Sequence, residues 1–191
     1  MQSAMGDFII NDIILFMDRL KLIKPNLEYK EKSWDFRNEC LSESEEIHGD
    51  GGLDKSNNFE EWLENLKKES SKDTCGEKWV PATTWLVVRE SDKKIVGVIQ
   101  LRHELNDFLL NRGGHIGYEV RPSERRKGYA TEMLRLVLME SKKIGLKKVL
   151  VSCTKSNIAS AKTIIKNGGV LEDERIWTDG SIYQRYWIEI N

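Results

Sequence analysis

Arg125, Arg126, Lys127 and Gly128 stand together in "ERRKGYATEMLRLVLMESKKIG", just ahead of a stretch with helical periodicity. Three cations and a glycine at the start of a helix suit the binding of an anion. The first turn of a helix carries N–H groups without intrahelical partners and the positive end of the macrodipole. A strand that enters such a turn through a loop with a glycine at its tight point makes a cradle for phosphate. Gly128 lets the backbone approach a ligand with no Cβ in the way. The three cations add charge where two linked phosphates would sit. The same residues also fit a solvated basic turn ahead of an ordinary amphipathic helix, and spacing alone does not choose between the two. There is no G-x-x-x-x-G-K-[ST] and no G-x-G-x-x-G, so neither an NTPase nor a dinucleotide site is supported.

The cradle needs a strand before it and a packed helix after it. "HIGYEVR" reads as the strand. Residues 131–143 read as the helix, with Met133, Leu134, Val137, Leu138 and Ile144 forming an apolar stripe. "KKVLVSCT" is a short buried strand. "NIASAKTIIKNGG" is a helix that begins at Asn157 and stops at a glycine pair. "VLEDERIWT" and "SIYQRYWIEI" are two final strands around a "DG" turn. Upstream, "TTWLVVRE" and "IVGVIQLRHEL" form a hairpin around "SDKK". Two helices precede it. The first carries Leu27, Trp34 and Leu41 at helical spacing; the second has Phe59, Trp62, Leu63 and Leu66 on one face and Asn58 as its N-cap. "MDRLKLIKPN" reads as an opening strand stopped by Pro25. This order predicts one α/β (α+β) domain over residues 17–191, its mixed, mostly antiparallel sheet flanked by helices. Residues 1–16 read either as an extension or as an added amphipathic helix.

With 30 basic and 31 acidic residues the formal net charge is −1, so the basic patch is local. A nucleic-acid partner, which would need a basic stripe, is not supported. The apolar run "FIINDIILFM" is interrupted by Asn11 and Asp12, is too short to span a bilayer, and lacks the features of a cleaved leader. A cytoplasmic protein with no membrane partner is expected. Cys40, Cys75 and Cys153 are too few and too widely spaced for a disulfide framework or a zinc site. Cys153 ends an apolar strand and reads as a buried small side chain. His48, His103 and His115 show no ligand spacing, so no metal is expected.

"RRKGYA", residues 125–130, matches R/Q-x-x-G-x-G/A, the pyrophosphate-binding signature of the GNAT superfamily of N-acetyltransferases. The strand before it, the helix after it, and "VLVSCTKSNIASAKTIIKNGG" further on follow in that superfamily's order. The chain resembles it over about residues 83–190. "GGHIGYEVRPSERRKGYATEML" resembles uncharacterised predicted acetyltransferases near the ribosomal-protein-acetylating branch. The resemblance implies a GNAT-like fold, acetyl-CoA as cosubstrate, and an amine-bearing small molecule or peptide as acceptor. It implies that the amides of Arg125, Arg126, Lys127, Gly128, Tyr129 and Ala130, with Thr131 capping, hold the pyrophosphate. It implies that the backbone of Glu119, Val120 and Arg121 pairs with the pantetheine arm, and that Asn157 binds the same arm. For Asn157 a plain N-cap is the other reading, and the two roles are compatible. Dimerisation is common in that superfamily; the sequence does not show whether a homodimer forms here.

The implied reaction asks for a base to take the amine's proton and for little else. In the superfamily the base is often a Glu on the strand before the motif. Here His115 falls close to that position, with an intrinsic pKa near neutrality. Period-two alternation places His115, Gly117 and Glu119 on one face, so His115 and then Glu119 are the candidates. Each also has a structural reading: a hydrogen-bonded strand histidine, and an ion-paired carboxylate. The superfamily's general-acid tyrosine would lie seven residues after Asn157, where this chain has Ile164. Ser160, Tyr183 or Tyr186 is left to substitute, or the thiol leaves unaided. "IHGDGG" suits either an acceptor-binding loop or a plain connector. Glu43, Glu45, Glu46 and Asp50 near it suit either attraction of a cationic amine or a solvated face. A CoA-binding regulatory module without catalysis is the alternative function.

Overall fold

The computed structural model describes residues 18–190; the expectation for residues 1–16 lies outside them. Strands β1 (Leu20–Ile23), β2 (Ala82–Arg89), β3 (Ile95–Arg102) and β4 (Ile116–Val120) form one antiparallel sheet in that order. Strands β5 (Lys148–Thr154), β6 (Val170–Ile176) and β7 (Ile182–Glu189) form a second antiparallel sheet, in the order β5-β7-β6. Helices α1 (Lys30–Leu41) and α2 (Phe59–Glu69) cover one face of the first sheet. Helices α3 (Tyr129–Lys143) and α4 (Ile158–Lys166) lie on the other side.

β2 and β3 are buried on both faces, which is why both read as near-continuous apolar runs rather than strict alternation. Leu86, Val88, Ile95 and Val98 meet Phe36, Cys40, Phe59 and Trp62 from α1 and α2. Val87, Val96, Ile99 and Leu101 meet Met133, Leu134 and Val137 of α3, together with Val149, Val151 and Ile188 of the second sheet. α2 matches expectation, Asn58 Oδ1 accepting from Glu61 N at 2.8 Å. α1 departs from it. Its buried line is Ser33, Phe36 and Cys40, while Leu27 sits in a short 3₁₀ turn (Leu27–Tyr29) and is exposed. The helix begins three residues after Leu27, so the spacing that seemed to join Leu27 to Trp34 and Leu41 has no continuous helix beneath it.

The two sheets touch where β4 begins. His115 N donates to Leu150 O at 2.7 Å, and Leu150 N donates to His115 Nδ1 at 2.9 Å. Among the described residues, β4 beyond this point pairs only with β3, so its other edge diverges from β5 unpartnered. Gly114 makes the junction possible. Its φ is +66°, and a Cβ there would lie 2.7 Å from Leu150 O. Gly114→Ala is expected to destabilise the fold by about 2 kcal/mol, the scale of a forced left-handed residue, read as a drop of several degrees in Tm by calorimetry.

Candidate active site

The cradle is built as a run of turning amides. After β4, a 3₁₀ turn (Pro122–Glu124) leads to Arg125 with extended backbone, Arg126 at φ +64° and Gly128 at φ +82°. Left-handed residues between right-handed and extended ones turn successive N–H groups toward one side, the geometry of an anion nest. Gly128 is the N-cap of α3 and supplies no side-chain cap; Thr131 N and Glu132 N donate to its carbonyl instead. The earliest N–H groups of α3 are thereby left facing outward with the helix dipole behind them. Thr131 lies in the first turn of α3, its N–H donating to Gly128 O at 3.1 Å and its carbonyl accepting from Asn167 Nδ2 at 3.2 Å.

The cations around the nest are mostly committed. Glu124, 4 % exposed, accepts from Arg89 Nη1, Lys94 Nζ and Lys127 Nζ, each at 2.8 Å. Burial alone would raise its pKa, but the hydrogen bonds from Lys127, Lys94 and Arg89 outweigh burial and hold it at about 2. Arg125 bridges Glu43 at 2.8 Å and Glu119 at 3.2 Å. Arg121 is also spent: its N–H donates to Val96 O in the β3 ladder, and its buried guanidinium pairs with Asp35 and Glu39 of α1. Arg126 is exposed and has no ion-pair partner among the described residues. The sequence expectation of three free cations at the nest reduces to one.

β4 and β5 meet at the His115 junction and otherwise pair only with β3 and with β7 among the described residues, and the residues after β4 lead to the nest. Register with β3 places Gly117 opposite Gln100 and Glu119 opposite Val98, so His115, Gly117 and Glu119 share the face toward α1 and α2. Tyr118, opposite Ile99, points the other way, toward α3 and α4. Its hydroxyl lies 2.9 Å from Ser160 Oγ on the first turn of α4. Asn157 caps that turn, its Oδ1 accepting from Ser160 N at 3.0 Å, which leaves its exposed Nδ2 unpaired among the described residues. Cys153 of β5 is buried beside the Ser160 hydroxyl. Burial pushes its thiol pKa up, and the contact with Ser160 offsets part of the rise.

His115 differs from the expected base. Nδ1 already accepts from Leu150, and the ring is buried against the edge of Trp187, 6.2 Å between centroids. Burial first, and then the nearby Arg102 guanidinium, push its pKa down to about 4. The imidazole is therefore neutral across the physiological range and occupied in holding the sheets together. Glu119 is placed differently, with one fifth of its side chain open to solvent. Burial raises its pKa, partly countered by Arg125 and His48. Tyr186 is buried and donates to Gln184 Oε1 at 2.8 Å, so it does not join Ser160. Tyr183 Oη instead accepts from Arg112 at 2.7 Å.

The loop between α1 and α2 closes over the Glu119 face. Gly49, at φ +75°, lies directly on the Gly117 backbone, where a Cβ would fall 2.0 Å from Gly117 O. Asp50 is not a free acidic lure: it is buried and accepts from Gly52 N at 2.9 Å and Asp54 N at 2.6 Å, holding the turn. Glu43 is ion-paired with Arg125, and Glu45 and Glu46 are exposed. At the other end of the cleft Arg102 donates to the carbonyls of Gly113 and Gly114, and His103 Nε2 is 2.9 Å from Thr83 Oγ1. Glu124 and Tyr118 were not found from sequence. Period-two alternation places Tyr118 opposite Glu119; nothing in the sequence pairs it with Ser160. No cluster of His, Cys, Asp and Glu suited to a metal ion occurs among the described residues. No helix there is long and apolar enough to cross a membrane.

The sequence matches the acetyltransferase (GNAT) domain family over residues 33–170. The chain belongs to the GNAT acetyltransferases. No curated protein matches it in sequence. Solved structures share the fold at low identity. The microcin C7 self-immunity acetyltransferase, in complex with acetyl-CoA and AMP, is 21 % identical with a TM-score of 0.65, covering 91 % of this chain and 94 % of that one. A ribosomal L7/L12 alpha-N-protein acetyltransferase in complex with coenzyme A is 14 % identical with a TM-score of 0.66, covering 91 % and 96 %. The spermidine N-acetyltransferase of Vibrio cholerae, dodecameric in its structure, is 16 % identical with a TM-score of 0.62, covering 91 % and 95 %. The GNAT fold and acetyltransferase class expected from "RRKGYA" are thus found.

Two outcomes follow from the site. Gly128→Glu, which adds a carboxylate and a strained side chain to the nest, is expected to abolish acetyl-CoA binding in calorimetric titration; unchanged affinity would remove the nest from the binding site. His115, neutral in the fold with a pKa of about 4 against an ordinary 6.5, is protonated first in the unfolded chain. Its contribution is complete above pH 6.5 and is lost as pH falls toward 4. His115→Asn keeps an acceptor and removes the titration, so its thermal stability should fall less steeply over that interval than wild type. If turnover instead loses its acid limb in the variant, His115 is the base.

Proposed function

We propose that this protein transfers the acetyl group of acetyl-CoA directly to a primary amine in the cytoplasm. The observation that carries this reading is the unpaired edge of β4 opening onto the uncapped start of α3. A strand edge with free N–H and C=O groups suits the amides of an extended pantetheine arm, and the nest suits the pyrophosphate that follows it. In this reading the amides of residues 126–130 and the Arg126 guanidinium hold the diphosphate. Val120 and its neighbours on the open edge hold the arm, with Asn157 Nδ2 facing it from α4. The fit is supported by an N-terminus that the chain itself leaves uncapped and by an Asn amide nitrogen left over from capping.

Glu119 takes the base role. It sits on the β4 face covered by the Gly49 loop, is partly desolvated, and keeps access to water. A carboxylate raised toward neutrality accepts a proton from an ammonium through water more readily than an ordinary one. Arg125, paired with Glu119, ties this carboxylate to the nest. The acceptor is an amine on a small molecule or peptide reaching Glu119 past the α1–α2 loop. No covalent acyl-enzyme is needed, because Cys153 is buried with its pKa raised.

The first test is calorimetric titration with acetyl-CoA, with ATP as control, followed by thiol-release assays against polyamines, peptides with free N-termini and small amines. Binding that requires the pantetheine arm, with turnover on at least one amine, is expected. Binding without turnover would identify a regulatory CoA-binding module instead. Glu119→Gln is expected to lower kcat about 10²-fold or more with little change in acetyl-CoA affinity, and to erase the rise of rate with pH that Glu119 imposes.

A further inference from the structure

Consecutive residues of a strand point to opposite faces. On β4 this puts the Glu119 carboxylate on the α1–α2 side of the open edge and the Tyr118 hydroxyl on the α3–α4 side. A thioester lying along that edge has one residue on each side of it. We propose that Tyr118, held by Ser160, is the proton donor to the departing thiolate. The proposal rests on the acetyl-transfer reading above.

Three observations carry it. Tyr118 reaches across the cleft from β4 to α4, its hydroxyl 2.9 Å from Ser160 Oγ. Along the strand Tyr118 stands between His115, where β4 meets β5, and the residues that lead to the nest. The first turn of α4 that presents Ser160 is itself fixed by the Asn157 cap, so the serine is held rather than free to rotate away with its backbone. The other tyrosines near the second sheet are engaged elsewhere, Tyr183 with Arg112 and Tyr186 with Gln184. Position 164, where a tyrosine from α4 would enter, is a buried isoleucine in the core. Burial raises the pKa of Tyr118, so the phenol keeps its proton until a strong base forms beside it.

The step balances. Water and Glu119 take one proton from the ammonium; the freed amine forms a bond to the thioester carbon and releases its second N–H proton to solvent as the amide forms. As the C–S bond breaks, its electron pair goes to sulfur and the Tyr118 proton follows. The phenolate is reprotonated through Ser160 from solvent. Base and acid act from opposite faces, so neither occupies the path of the other.

The experiment compares wild type, Tyr118→Phe and Ser160→Ala in thiol release from acetyl-CoA, using spermidine, an alanyl peptide and hydroxylamine as acceptors. Affinity for CoA is measured alongside by calorimetry. Tyr118→Phe keeps the ring and removes the proton, and should lower kcat between about 10²- and 10³-fold, within the range of general-acid catalysis. CoA affinity and Tm should stay within twofold and a few degrees of wild type. Ser160→Ala should give a smaller loss in kcat of the same kind. An oxygen-ester analogue of acetyl-CoA, whose alkoxide leaves far less readily, should show a larger Tyr118→Phe defect than the thioester. A kcat within threefold of wild type overturns the proposal, and so does a loss matched by lost CoA affinity, which would make Tyr118 a structural contact. Wild type inactive on every acceptor would sink the transfer reading itself, and the proposal with it.

Discussion

Two hydrogen bonds between His115 and Leu150 decide where the cleft is. They join β4 to β5 at one end only, one through the His115 backbone and one through its ring. A backbone ladder would have continued along the strands, because each added pair satisfies two more amides. Here the ring nitrogen takes the Leu150 amide, and no β4–β5 ladder follows among the described residues. The strands then part, each remaining in its own sheet. The site follows from that parting: an unpartnered strand edge on one side, a helix N-terminus at the open end, and a closed vertex at the other.

The open end shows how a basic loop is kept from collapsing onto itself or floating in solvent. Glu124 sits buried under it and draws in Arg89, Lys94 and Lys127. A buried carboxylate with three cationic donors is strongly held in its charged form, and removing that carboxylate would leave the cations without their shared counter-ion. The loop is thereby pinned from beneath. What faces outward is backbone N–H groups and Arg126, which suit an anion by direction more than by net charge. Arg125, the next residue after Glu124, makes a separate pair of ion contacts with Glu119 and Glu43, joining the turn to β4.

The two faces of β4 do different work because a strand alternates. One face meets α1, α2 and the loop seated on Gly117 through Gly49, where close backbone approach leaves no room for a side chain. The other meets α4 through Tyr118 and Ser160.

Much of this was legible in the sequence, and the reasons are local. "RRKGYA" before an amphipathic stretch marks a tight turn into a helix because a glycine and a helix start are encoded within a few residues. Asn157 as a cap, and His115, Gly117 and Glu119 on one face, follow from the same short-range periods, and the register bears out that face. The order of strands and helices identified the GNAT fold. What the sequence did not determine is which charges are free. Lys127 and Arg125 look like ligands in sequence, but Glu124, three residues before Lys127, and Glu119 and Glu43 claim them; Glu43 lies 82 residues from Arg125 and only folding brings it near. His115 looks like a base because its intrinsic pKa is right, but folding buries it and engages its Nδ1 with an amide 35 residues away. Tyr118 and Ser160 meet across 42 residues. A residue's type and its neighbours in the chain set which conformations it prefers. Its protonation and its partners depend on groups brought close only when the two sheets are joined.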